Sequence, residues 1–265
     1  QQRQMCIRDR LYTAYTGMIN EQNRMDIMTN NLANASTVGY KKEGSTSQSF
    51  DDVLTVKIKD QSVGMRNVQR LGVKNPGVKI GENYTDYSQG SFRITGNTYD
   101  LALSGEGFFA IEFTNKAGET DTKYTRAGQF TLNKDGYLVT EEGDYVLDTQ
   151  NRRIRLNTLI DSSITDDGTI YQNGQAVAKI QVTDFEDYDY LEKYGETYYQ
   201  PIQGAKTIAA KAQVKSGYLE MANVQIVSEM VNLISITRAY ESNQKVVQTI
   251  DDTLDVAVNQ IGRVQ

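Results

Sequence analysis

The sequence predicts an α+β protein in which long N- and C-terminal helices form a coiled-coil domain and a central antiparallel all-β domain lies between them. Three observations predict it. Apolar residues spaced by three and four run from Leu11 to Leu32, a seven-residue repeat runs from Ile226 to Ile261, and between them the period falls toward two while Gly becomes frequent. The chain has 265 residues, of which 38% are hydrophobic and 23% charged, which is enough length and apolar content for a packed core.

Residues Gln1 to Arg10 fit no element and are expected to be an artefact or disordered. Leu11, Ala14, Met18, Met25, Met28 and Leu32 then form a stripe broken by Glu21, opposite Asn20, Asn23, Arg24 and Asp26, as in an amphipathic helix. Such a helix of about 22 residues is roughly 33 Å long. Asn30, Asn31 and Asn34 cluster where the stripe ends and Gly39 follows, as at a helix C-terminus opening into a turn. Thr55 to Gly81 is polar and Gly-punctuated, and reads as an irregular or extended connector. Tyr99 to Phe113 alternates apolar residues about Gly105-Glu106-Gly107, as two strands around a turn. Asp135-Gly136, flanked by Phe130, Leu132, Tyr137 and Val139, marks a hairpin. Further short strands are expected in Ile154 to Val182 and Pro201 to Val214.

At the C-terminal end Ile226, Leu233, Tyr240, Val247, Leu254 and Ile261 recur every seven residues in a segment free of Gly and Pro, the period of a left-handed coiled-coil seam. The interleaved row (Asn223, Met230, Thr237, Gln244, Asp251, Val258) is mixed, and Ile234, Ile236, Val246 and Ile250 lie off the seam, so more than one partner surface is implied. The expected domains are a terminal helical assembly domain of residues 11–40 plus 216–265, an extended connector at 41–90 and a β domain at 91–215.

Composition excludes much chemistry. The chain has no histidine, so no Ser-His-Asp, Cys-His or His-zinc arrangement can form within it. The lone Cys6 allows no internal disulfide. A net charge of −6 argues against nucleic acid as a partner, and no apolar run reaches the roughly 20 residues of a membrane span, so an integral membrane protein is not expected. The N-terminus also lacks the apolar core of a secretory signal. Gly105, Gly107 and Ala110 fit a dinucleotide-binding spacing, but Phe108 to Phe113 continues as a strand and opens no helix to hold a pyrophosphate. Asp187 and Asp189 start like a calcium loop that then lacks its glycine and its bidentate glutamate, and the tyrosine-rich stretch Asp184 to Tyr199 reads instead as a solvated surface insertion suited to contacts. The adjacent carboxylates at 51–52, 141–142, 166–167 and 251–252 point to opposite faces on a strand or sit on a helix, so none is predisposed to flank one bond. No catalytic residue, cofactor or metal is expected.

Leu11 to Glu43, with Asn31-Leu32-Ala33-Asn34 and Thr37-Val38-Gly39-Tyr40-Lys41, resembles the N-terminal signature of bacterial flagellar rod and hook proteins. Ser216 to Asp255 resembles their C-terminal signature through Leu219-Glu220, Asn223-Val224, Glu229-Met230-Val231, Arg238-Ala239-Tyr240-Glu241 and Asn243. Gly96 to Leu147 is similar to their shared β domain, notably at Leu101 to Phe109 and Tyr124 to Phe130.

The resemblance implies a subunit of the flagellar basal-body rod, exported by the flagellar type III apparatus and polymerised helically into a hollow shaft that transmits torque to the hook. Length and the single β domain favour the distal rod, with the proximal rod or another hook or basal-body axial subunit as alternatives. The expected assembly interface comprises Leu11, Met18, Met25, Asn30, Asn31, Leu32, Asn34, Gly39, Tyr40, Ile226, Met230, Leu233, Arg238, Tyr240, Asn243, Val247, Leu254 and Ile261, and the expected partners are further copies of the chain and other rod and hook subunits. A glycan-binding or hydrolysing cell-wall module on a helical stalk is the rival from another class, and the missing histidine and convergent carboxylates speak against it.

Overall fold

The computed structural model describes residues 2–58, 68–115 and 118–261, and the chain divides into two units. The first unit comprises residues 1–32, 43–85 and 226–265, and the second residues 33–42 and 86–225.

In the first unit lie helix α1 (Gln2–Ala33), strands β1 (Glu43–Ser49), β2 (Val53–Ile58), β3 (Val68–Lys74) and β4 (Val78–Thr85), and helix α2 (Ile226–Ile261). Strand β1 runs antiparallel to β4 from Glu43 opposite Thr85 to Ser49 opposite Val78, and β2 pairs antiparallel with β3. The stretch expected to be an irregular or extended connector is extended and largely paired where it is described, and its residues 59–67 lie outside the described residues. Helix α1 meets this ribbon through polar contacts: the Ser47 hydroxyl donates to Asn20 Oδ1 at 3.0 Å, and a side chain at Gly77 would strike the Thr16 hydroxyl. The first ten residues, expected to be an artefact or disordered, belong to α1 from Gln2 onward.

The coiled-coil domain expected at the termini is not what the structure contains. Among the described residues there are two α-helices, one at each end of a mostly β molecule, and no long coiled coil. A heptad row becomes a seam only where a partner helix covers it along its length. On α2, Ile226 and Leu254 are exposed, Leu233, Tyr240 and Val247 are half-buried, and among the described side chains the buried ones are Glu229 and Ile236. Glu229, Ile236, Asn243 and Ile250 form a row three residues on from the Ile226 row, and α1 meets this side of α2 at Gly17 and Met25. Gly17 lies against Asn243, and the Thr237 hydroxyl faces Met25 Sδ at 3.9 Å. Of the described apolar repeat, Ile226 and Leu254 are thus left uncovered, while Leu233, Tyr240 and Val247 are covered in part.

The second unit contains β5 (Phe92–Ile94), β6 (Leu101–Ser104), β7 (Phe108–Thr114), β8 (Thr120–Thr125), β9 (Phe130–Leu132), β10 (Leu138–Thr140), β11 (Tyr145–Val146) and β12 (Ser162–Ile164). They are followed by β13 (Thr169–Gln172), β14 (Gln175–Lys179), β15 (Val182–Phe185), β16 (Leu191–Tyr194), β17 (Tyr198–Pro201), β18 (Thr207–Ala209), β19 (Gln213–Ser216) and β20 (Tyr218–Glu220). The main sheet has the order β16-β17-β8-β7-β11-β10-β9, with β15 beside β7 and β18 beside β15. Strands β12-β13-β14 form a separate meander, while β6 pairs with β19 and β5 with β20.

The centre of the unit is β7. Successive side chains on a strand face opposite ways, and here both faces are covered: Phe109 packs with Leu101, Phe130 and Ile170, whereas Phe108 packs with Phe185 and Tyr199. Phe109 meets Phe130 edge-on with ring centroids 5.2 Å apart, an arrangement favoured by the ring quadrupoles. The tyrosine-rich stretch is core rather than surface at Phe185, Leu191, Tyr198 and Tyr199, while Tyr190 and Tyr194 stay exposed. Asp187 accepts from the Asp189 N–H and so caps the short 3-10 turn Tyr188–Tyr190.

Candidate functional site

The residues of the N- and C-terminal signatures fall into two groups. One group is gathered inside the second unit. Thr37 to Lys42 follow α1 as a turn that requires left-handed backbone at Gly39 (φ +71°), where a Cβ would lie 2.3 Å from the Ala127 nitrogen. The Gly39 N–H donates to the Glu220 carbonyl at 2.8 Å, and Val38 bridges to Met221. Tyr40 is fully buried beneath the Lys193 ammonium, 4.2 Å from its ring centre.

Lys41 is the next residue, and its side chain is fully buried. Its Nζ donates to Glu220 Oε1 at 2.7 Å and to the Ser88 carbonyl at 2.8 Å. Glu220 Oε1 also accepts the Gly90 N–H at 3.0 Å, and Glu220 Oε2 accepts from Arg126 at 3.3 Å. Burial pushes the Lys41 pKa below its ordinary value, against the opposing pull of Glu220. Asn223 completes the junction: its Oδ1 accepts the Lys42 N–H at 2.7 Å and its Nδ2 donates to the Asp86 and Ser88 carbonyls.

The other group lies in the first unit. Asn31 is fully buried and exchanges two hydrogen bonds with the Glu43 backbone, at 2.7 and 2.9 Å, so it ties the end of α1 to the start of β1. Asn34, in the second unit, accepts from the Thr37 hydroxyl at 3.2 Å, and Asn30 is exposed. Leu11, Met18, Met25 and Leu32 are half-buried. Leu11, Tyr12, Tyr15 and Val247 line an apolar cavity of about 290 Å³. On α2, Ile226, Val227, Met230, Val231 and Ile234 expose 45, 77, 47, 61 and 55% of their surface in one continuous first stretch of helix. Arg238 and Leu254 are exposed, Asn243 is half-buried against Gly17, and the side chain of Ile261 lies outside the described residues.

Sequence reasoning about assembly residues missed Lys41, Arg126, Glu220 and Asn223 as a group. Glu220 lies 179 positions from Lys41, and no period or spacing joins residues so far apart. For Lys41, Arg126 and Glu220 the one signal was charge inside short motifs that the structure makes part of a core. Among the described residues no group of three or more Cys, Asp or Glu is placed to hold a metal ion, and no helix is long and apolar enough to cross a membrane. The junction is a fastening: its charged groups engage one another and the backbone.

Known proteins carry the same three blocks. Residues 11–41 match the family described as flagella basal body rod protein, residues 102–174 the flagellar hook protein FlgE/F/G D1 domain, and residues 215–261 the flagellar basal body rod FlgEFG protein C-terminal. The chain is 34% identical to flagellar basal-body rod protein FlgG of Bacillus subtilis, over 94% of this chain and 97% of that one. It is 32% identical to flagellar basal-body rod protein FlgF of Caulobacter vibrioides over 96% and 98% of the two chains, and 34% identical to FlgG of the same organism over 92% and 96%. With likeness of this extent along both chains, and with the N- and C-terminal signatures meeting in one junction, the protein belongs to the flagellar basal-body rod family.

Proposed function

We propose that the chain is a structural subunit of the rod, in its distal section, and that copies stack into a helical polymer that carries torque toward the hook. It is a protein of the flagellar basal body, and its role is mechanical. The observation that carries the proposal is the run of exposed apolar side chains on α2 from Ile226 to Ile234. Apolar surface of this kind is worth about 25 cal/mol per Å² when it is removed from water, and a patch that is not its own complement generates an open polymer rather than a closed pair. Met230, Leu254 and Arg238 belong to the proposed interface on the same helix, and Tyr12 and Tyr15 extend it on α1. The neighbours in this reading are further copies, other rod and hook subunits and, during export, the flagellar type III apparatus. A more proximal section is the second reading, favoured by the near-equal likeness to rod proteins of two names, FlgG and FlgF.

The test uses Val227→Asp and Val231→Asp, which place a charge on exposed helix surface and leave the interior of the chain untouched. Both variants should melt with the wild type yet fail to restore swimming to cells lacking the chain. Normal swimming by either would sink the proposed interface. Electron microscopy of basal bodies carrying a labelled subunit separates the two sections, since label next to the hook is expected and label at the membrane end refutes the distal placement.

A further inference from the structure

The second unit begins and ends in segments that carry the chain across its boundary: residues 33–42, residues from 86 onward, and residues up to 225. One cluster holds all three. Lys41 binds Ser88 and Glu220, Glu220 also binds Gly90 and Arg126, and Asn223 binds Lys42, Asp86 and Ser88. The side chains of Lys41 and Glu220 expose none of their surface and that of Arg126 exposes 3%.

Two cations and one carboxylate so deeply buried are a poor way to stabilise a fold. The cost of desolvating buried charges offsets their attraction, and well-packed apolar residues of similar volume often do as well or better. Arg126 Nε is moreover buried without a hydrogen-bond partner, although the guanidinium lies 5.2 Å from the Phe108 ring centre. What such a cluster supplies, and apolar packing does not, is direction. The Lys41 ammonium reaches the Ser88 carbonyl and Glu220 together, and Glu220 reaches Gly90 and Arg126 together, in a single arrangement of the segments.

We propose that Lys41, Arg126 and Glu220 are positioning residues that set one arrangement of the three crossing segments while adding little to the stability of the unit. The segments then leave the β body as one clasped stem rather than as independent linkers, a property suited to a subunit that bears torque. That last clause rests on the rod reading, whereas the clasp itself does not.

The experiment compares Glu220→Gln with the triple variant Lys41→Met/Arg126→Met/Glu220→Met in the full chain. Glu220→Gln strands two buried cations and should lower the melting temperature. The triple variant should melt within about 5 °C of the wild type, because no charge is left unpaired. Its amide exchange at Gly39 and Lys42 should nevertheless accelerate on the order of tenfold or more, since local opening no longer has to break the clasp. Swimming by cells that depend on the triple variant should fall. Wild-type exchange at Gly39 and Lys42 in the triple variant overturns the proposal. So does a triple variant that unfolds or loses as much stability as Glu220→Gln, because the cluster would then be holding the body together. If the wild-type chain does not restore swimming to cells lacking it, the rod reading falls while the exchange result still decides the clasp.

Discussion

Gly39 is a position at which a single methyl group should do clear harm. Its φ of +71° lies in the left-handed region, and a Cβ there would approach the Ala127 nitrogen at 2.3 Å and the Arg126 carbonyl carbon at 2.5 Å. Both are backbone atoms that cannot rotate away, so the turn must withdraw from residues 126–127 and pull on the 2.8 Å hydrogen bond from Gly39 N–H to the Glu220 carbonyl. The left-handed conformation costs an alanine about 1–2 kcal/mol, and a buried hydrogen bond lost without replacement costs about 1–3 kcal/mol more. At roughly 2–4 °C per kcal/mol for a protein of this size, Gly39→Ala should lower the melting temperature by about 4–20 °C. Gly96 provides the control, because its φ of +74° imposes the same conformational cost while a Cβ would meet nothing within 4 Å. Gly96→Ala should therefore lose about 1–2 kcal/mol, or roughly 2–8 °C. Thermal unfolding followed by circular dichroism measures both. If the two variants melt within about 2 °C of each other, the close approach at residues 126–127 contributes nothing and the account of the turn is wrong.

Asp148 should give the β body an acid-sensitive component of stability. Burial raises its pKa, but the Arg152 N–H and guanidinium and the Gln150 N–H lower it further, leaving it below the ordinary 3.8. A carboxylate depressed in the folded state contributes stability above its unfolded pKa and loses it as pH falls through the folded value. The gap in melting temperature between wild type and Asp148→Asn should therefore shrink as pH drops from 5 to 2, and a constant gap contradicts the assignment. Asn31→Ala should cost about 2 kcal/mol through its two bonds with Glu43, with helix content unchanged, while Gln22→Ala on the exposed side of the same helix should stay within about 0.5 kcal/mol. Urea titration of both variants checks this, and equal losses refute it.

What could be read from the sequence depended on whether the signal was local. Asp135-Gly136 encodes its own hairpin, and β9 and β10 pair across it with Gly136 at φ +81°. Gly105 and Gly107 mark the break between β6 and β7, yet β6 pairs with β19, more than a hundred residues away, which no local pattern encodes. Strands β1 and β4 are polar throughout most of their length and expose most of their residues, so hydrophobic alternation had nothing to report. The seven-residue period on α2 is real, but period alone does not say which row is covered. Glu229 and Ile236 are buried and Ile226 is not, and the contacts at Asn243 and Thr237 come from Gly17 and Met25, more than two hundred residues away. For the same reason the site was legible as motifs and illegible as geometry: Lys41 and Glu220 each stood out in a signature, and only folding makes them partners.

The adjacency of residues 38–42, 86–90 and 220–223 has a consequence for how such chains can diversify. A body whose incoming and outgoing strands are hydrogen-bonded neighbours, as Gly39 is to Glu220 and Asp86 to Lys42, behaves as a graft on its stem. Segments can be lengthened, trimmed or exchanged far from that point without changing where the strands emerge. The turns at Gly143, Gly174 and Gly195, each facing open space, are the places at which such a graft can acquire new surface while the Lys41–Glu220 base is left as it is.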